Sequence, residues 1–201
     1  FCGTIASTML RFFTKLLDSN EKQIQRLKPL ITAINEFEPE MKKLKDREFA
    51  KKTEEFKERF KNGETLDQLL PEAFALAREA AHRVIGERPY DVQLMAAIAL
   101  HQGNVAEQKT GEGKTLSASL PLYLNALTGR GVHLVTVNDY LARVCAGWMG
   151  QVFHLLGMKV SALIHDQSFV FDPEFRDENA QDWRLQSLRP ISRKEAYAAD
   201  V

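Results

Sequence analysis

The sequence predicts an α/β chain: a helical amino-terminal region, then the first part of a parallel sheet, truncated at residue 201. Three observations predict it. Apolar residues recur at helical spacing through roughly the first 85 positions. From about residue 92 short β-branched runs alternate with helical ones, the order that builds parallel sheets through right-handed crossovers. At that changeover lies a glycine-rich loop, Thr110-Gly-Glu-Gly-Lys-Thr115, between a strand-like and a helix-like segment.

The elements follow in order. Residues 1–8 read as a non-native or read-through leader, because the chain opens on Phe1 and Met9 is the first methionine. Met9–Asp18 places apolar residues at 9, 10, 12, 13, 16 and 17 around Arg11 and Lys15, an amphipathic helix with a basic face. Such a helix lies on an anionic membrane, docks on a partner or packs on its own domain, and spacing alone leaves these open. Residues 19–88 form a helical region. Glu21–Phe37 carries Ile24, Leu27, Leu30, Ile31 and Ile34 on one stripe, with Pro29 as a bend. Asp46–Lys61 sets Phe49, Phe56 and Phe60 at helical spacing, and Asn62-Gly63 stops it. Leu66–Ile85 is a further apolar helix, broken near its start by Pro71, with His82 on its surface.

Residues 89–201 form the sheet-building part. Val92–Leu100 is helical, Val105–Gln108 a strand, and Leu116–Leu127 a helix ended by Gly129. Val132–Val137, continuous and β-branched, suits a buried parallel strand. Asn138 and Asp139 cap a helix over Tyr140–Leu156, and Met158–Leu163 is the next strand. Residues 165–190 are polar with scattered aromatics, a surface insertion outside the sheet, and Ser192–Ala199 returns to helix.

Composition narrows the function. Acids and bases balance at 27 each, and no basic stripe interleaves with aromatics, so nucleic acid is not the expected partner. No run approaches the roughly 20 apolar residues that span a bilayer. Cys2 and Cys145 lack metal-ligand spacing and suit a reducing compartment.

The loop carries the chemistry. Gly111 and Gly113 let the backbone approach a phosphate and turn N–H groups toward it, and the next helix adds its positive end. Lys114 reaches the β- and γ-phosphates, and the Thr115 hydroxyl ligates Mg²⁺, so ATP with Mg²⁺ is the implied cofactor. Thr110, Gly111, Glu112, Gly113, Lys114 and Thr115 are the candidate nucleotide-binding residues. The strict pattern has glycine where this chain has Gln108.

The run from Thr110 to Ala142, with N-E-F-E-P-E-M at 35–41, L-P-E-A-F-A-L-A-R-E-A at 70–80, Y-D-V-Q-L at 90–94 and R-K-E-A-Y-A-A-D at 193–200, closely resembles the SecA family. These are the bacterial preprotein-translocase motor ATPases, and the likeness covers Met9 to Val201. It implies a helicase-type P-loop domain, in which glycine at 108 is not required, and assigns Gln93 to the adenine edge, where an amide can donate and accept at once. It also implies ATP-driven protein translocation across the plasma membrane, with a SecY-type channel and unfolded preproteins as partners. Anionic phospholipid would be met through Met9–Asp18, the protein would sit in the cytoplasm and peripherally on the cytoplasmic face of that membrane, and a homodimer stays open.

Two departures stand beside the likeness. Where the family continues Arg-Asp-Ala-Glu, this chain has Val144-Cys145-Ala146-Gly147, which removes a cation expected near the nucleotide and puts glycine inside a helix. No Asp-Glu pair of the Walker B kind follows the loop on a strand, so the chain itself supplies no catalytic residue for hydrolysis. The alternative expectation is a catalytically dead remnant, acting at most as a nucleotide- or membrane-binding module.

Overall fold

A computed structural model describes residues 19–201. The expected leader 1–8 and the helix Met9–Asp18 lie outside the described residues. The helical region is built from α1 (Ser19–Met41), α2 (Asp46–Lys61), α3 (Leu66–Ile85) and α4 (Asp91–His101). Local chemistry sets the boundaries. Thr65 caps α3 in a reciprocal box: the Gln68 N–H donates to the Thr65 hydroxyl at 3.3 Å, and the Thr65 N–H to the Gln68 side-chain oxygen at 2.8 Å. Gly86, with φ of 71°, ends the same helix in the left-handed region. Pro71 does not break α3: it sits in the second turn, gives up the N–H that would have met the Asp67 carbonyl, and the helix runs on to Ile85. Pro29 and Pro39 likewise lie inside an α1 longer than its apolar stripe required.

Helix α3 is the hub. It packs against α1, α2, α5 (Lys114–Ala126) and α6 (Asp139–Leu155), and its residues from Leu69 to Ala81 are all buried except half-buried Pro71. Leu69, Leu70, Phe74 and Leu76 fill the centre, each stabilising by roughly 1.5–3 kcal/mol. The alanines between them let neighbouring helices close in. One buried polar pair lies within this core: the Thr53 and Tyr123 hydroxyls meet at 2.7 Å, and burial pushes the Tyr123 phenol well above its ordinary pKa.

Two arginines, Arg78 buried and Arg83 half-buried, tie the helices together. Arg78 donates to the Pro89 carbonyl at 2.6 Å, to Asn35 at 2.5 Å and to Asp91 at 3.0 Å, clamping α1 and the entry to α4 onto α3. Arg83 donates to the Met41, Lys42 and Leu44 carbonyls, satisfying the end of α1, and lies 4.7 Å over the Phe49 ring. Exposed His82 sits on the surface of α3, as its spacing predicts.

The sheet differs from expectation. Its strands β1 (Ser161–Leu163), β2 (Ser168–Phe171) and β3 (Leu188–Ile191) run in the order β1-β2-β3, both pairs antiparallel, with Ala162 opposite Phe169 and Phe169 opposite Pro190. The region 165–190 therefore contributes two strands, besides a 3₁₀ turn at Trp183–Leu185. Its few apolar residues pair across the sheet, a short-range signal hidden by the polar residues around them.

The expected strands Val105–Gln108 and Val132–Val137 form no ladder among the described residues. A strand needs a partner, and here only the Val132 N–H is bonded, to the Asp200 carbonyl at 3.0 Å. Val105, Val135 and Val137 are 96%, 90% and 88% exposed. The helices on either side form as expected, with Asn138 accepting from the Leu141 N–H at 2.9 Å to cap α6. A last short helix, α7 (Arg193–Ala196), is capped by Ser192 and stops well before Ala199.

Candidate functional site

The glycine-rich loop links α4 to α5 and joins α5 at Gly113, which has φ of 74°. A side chain at Gly113 would be strained by the positive φ, and its Cβ, 2.3 Å from the Gln93 side-chain nitrogen, would push Gln93 from its present bonds. Glycine is needed for both its backbone freedom and its missing side chain. Lys109 to Glu112 form a tight turn, closed by the Glu112 N–H donating to the Lys109 carbonyl at 3.2 Å. Gly111, with φ of 87°, has the sign that a type II turn needs at its third residue.

The predicted residues come together, though unevenly. Thr110, Gly111, Glu112 and Lys114 are exposed, Gly113 and Thr115 half-buried, and Gln93 buried. Gln93 comes from the first turn of α4, yet its amide donates to the Glu112 carbonyl at 2.9 Å while its oxygen accepts from the Tyr90 N–H at 2.8 Å. A residue seventeen positions before the loop thus braces the loop backbone. The Lys114 ammonium folds back to the Lys109 carbonyl at 2.8 Å.

Sequence reasoning missed three contacts. The Gln108 amide donates to the Ser117 hydroxyl at 3.0 Å, fastening the start of the loop to α5. The Lys109 N–H donates to the Glu112 carboxylate at 2.7 Å. Thr115 Oγ1 lies 4.0 Å from Cys145 Sγ of α6. Only the first left a trace in the sequence, as the residue that broke the strict pattern.

Thr115 and Cys145 border a cavity of about 120 Å³ that runs under Val132, Leu134 and Thr136. Among the described residues no cluster of three His, Cys, Asp or Glu could hold a metal.

The departures on α6 read differently in three dimensions. Val144 is buried, so this position offers no cation to the loop. Neighbouring Arg143 lies 5.9 Å over the Phe169 ring of β2, its Nε buried without a hydrogen-bond partner among the described residues. Gly147 is no decayed position: a Cβ would stand 1.6 Å from the Arg184 carbonyl oxygen. At Gly150 it would stand 2.4 Å from the Phe171 ring. Both glycines let the 168–191 hairpin lie directly on α6. At its far end Asp182 accepts from Arg184 and from the Tyr140 hydroxyl at 3.1 Å, with Arg184 foremost in lowering the Asp182 carboxyl to about 2.

Comparison with known proteins now decides the family. Residues 12–201 match the model of the SecA DEAD-like domain. The chain belongs to this family. It is 60% identical over 196 residues to the protein translocase subunit SecA of Chloroflexus aggregans, covering 96% of this chain and 20% of that protein. The SecA subunit of a Roseiflexus species is 57% identical over 196 residues, covering 96% and 19%. That of Herpetosiphon aurantiacus is 46% identical over a 231-residue alignment, covering 96% and 22%. The chain thus spans about a fifth of the length of the curated relatives it matches. The hairpin on α6 and the loop on α5 both fall inside the SecA match.

Proposed function

We propose that this chain is the ATP-binding part of a motor that couples ATP hydrolysis to protein translocation across the bacterial plasma membrane. One observation supports this reading above the others: Gln93 and the loop 110–115, distant in sequence, share one hydrogen-bonded site at the start of α5. In it the N–H groups of the loop and the Lys114 ammonium would hold the phosphates, and the Thr115 hydroxyl would meet Mg²⁺. Gln93 keeps a second N–H and a second lone pair beyond its present bonds, so it can read adenine while still bracing Glu112.

The finer readings follow from the family. Segments 105–108 and 132–137 become strands of a parallel sheet once a partner lies along them, which their exposed valines favour. A SecY-type channel and unfolded preproteins are the partners of the whole motor, and anionic phospholipid is met through Met9–Asp18. No helix among the described residues is long and apolar enough to cross a membrane, which suits peripheral attachment at the cytoplasmic face. The remnant reading loses one support, because Gly147 has a packing role.

The test is a calorimetric titration with ADP and Mg²⁺. Lys114→Ala removes a charged donor to phosphate and is expected to weaken binding roughly 10- to 100-fold. Equal affinity of the two proteins would rule out the assigned loop.

A further inference from the structure

The loop already holds an anion of its own. In the glycine turn the Glu112 carboxylate accepts the Lys109 N–H at 2.7 Å. The Lys109 carbonyl takes both the Glu112 N–H at 3.2 Å and the Lys114 ammonium at 2.8 Å. Three donors suited to a phosphate are therefore engaged within a span of six residues. Gln93 braces the Glu112 backbone, its amide donating to the Glu112 carbonyl at 2.9 Å. The other acids of this stretch do no such work: Glu107 is exposed and makes no bond to the loop among the described residues.

We propose that the Glu112 side chain is an internal latch on the phosphate loop, a carboxylate that stands in for phosphate until a nucleotide displaces it. The inference rests on the loop reading above and goes beyond it by giving Glu112 a role opposed to that of Lys114. Phosphate and the Glu112 carboxylate compete for the Lys109 N–H, so nucleotide binds only the fraction of molecules whose latch is open. The apparent dissociation constant exceeds the intrinsic one by the inverse of that fraction. For a latch made of one solvent-exposed hydrogen bond, where water competes for both partners and the net strength falls to that of an ordinary hydrogen bond, that factor is roughly three- to tenfold. Glu112 is a positioning and selecting residue: a monoanion competes poorly, and only a ligand with several phosphate oxygens recovers all three donors.

The side chain is exposed, so its variants are expected to fold, and two of them separate reach from charge. Glu112→Asp keeps the charge and withdraws it by one methylene from the Lys109 N–H. Glu112→Ala removes both. ADP and inorganic pyrophosphate are titrated against wild type, both variants and Lys114→Ala, at one ionic strength. Exchange of the Lys109 amide is followed by NMR without ligand. Both variants are expected to bind ADP and pyrophosphate three- to tenfold more tightly, and the Lys109 amide to exchange faster in both. Tightening in Glu112→Ala alone would show simple charge repulsion and overturn the latch. So would an unprotected Lys109 amide in the wild type. Affinities unchanged in both Glu112 variants, with Lys114→Ala still weakened, would sink the latch and leave the loop reading standing. Failure of every form to bind ADP would remove both.

Discussion

The apolar runs of helices α1 to α4 and those of the segments 105–108 and 132–137 end in opposite states. In the first, large side chains such as Phe49, Phe56, Phe74 and Leu76 are fully buried, and Arg78 and Arg83 meet backbone carbonyls that would otherwise go unpaired. In the second, Val105, Val135 and Val137 face outward, and apart from the Val132 bond to Asp200 the backbone of 132–137 lacks a ladder. A helix satisfies its own hydrogen bonds, so an amphipathic stripe needs only another stripe to cover it. A strand satisfies none alone. The same hydrophobic run is thus complete as a helix and incomplete as a strand.

The sharpest way to break this contrast is to remove a side chain from the helical side. Phe74 is fully buried on α3, the helix that packs against α1, α2, α5 and α6. Phe74→Ala is expected to destabilise the chain by roughly 3–5 kcal/mol in urea denaturation, with a lowered midpoint and unchanged slope. A loss below about 1 kcal/mol would mean that the helical core is not close-packed.

Gly147→Ala probes the seam between α6 and the 168–191 hairpin and has a smaller expected effect. Its new methyl would stand 1.6 Å from the Arg184 carbonyl oxygen, so the 183–188 stretch must move off α6. Overpacking of this kind costs roughly 1–3 kcal/mol, whereas alanine in a free helix would gain about 1 kcal/mol over glycine. The two readings of Gly147 therefore predict opposite signs. Trp183, beside Arg184, reports the movement by fluorescence, and a stabilised variant with unchanged emission would restore the reading of Gly147 as a chance weakening.

These residues show how much could be read from sequence. The helices were legible because they carry their own evidence: a stripe at period 3.6, the Asn62-Gly63 stop and the Asn138 cap. The loop was legible because glycine, lysine and threonine must stand at fixed offsets to hold phosphate. The pairing of strands was not legible. Val132–Val137 has all the composition of a buried parallel strand, but composition does not supply a neighbour, and Phe169 finds one only because β1 and β3 lie within hairpin reach. Glu112 was seen as a loop residue and not as a ligand of Lys109, since a short contact inside a turn depends on φ and ψ at Gly111, not on residue type.

The smallest expected effect is the one that tests the contrast most directly. Val135 is 90% exposed, so replacing it removes almost no burial. Val135→Lys is expected to change the unfolding free energy by less than about 0.5 kcal/mol, the range of surface substitutions away from special features. The same change in a strand buried on both faces would strand an ammonium in the core and cost several kcal/mol. A null result in this chain, set beside a large loss when the corresponding valine is replaced in a full-length SecA relative, would locate the missing stabilisation of 132–137 in a partner strand. A large loss in this chain alone would show that Val135 is already covered in solution, and the contrast between complete helices and an incomplete strand would fail.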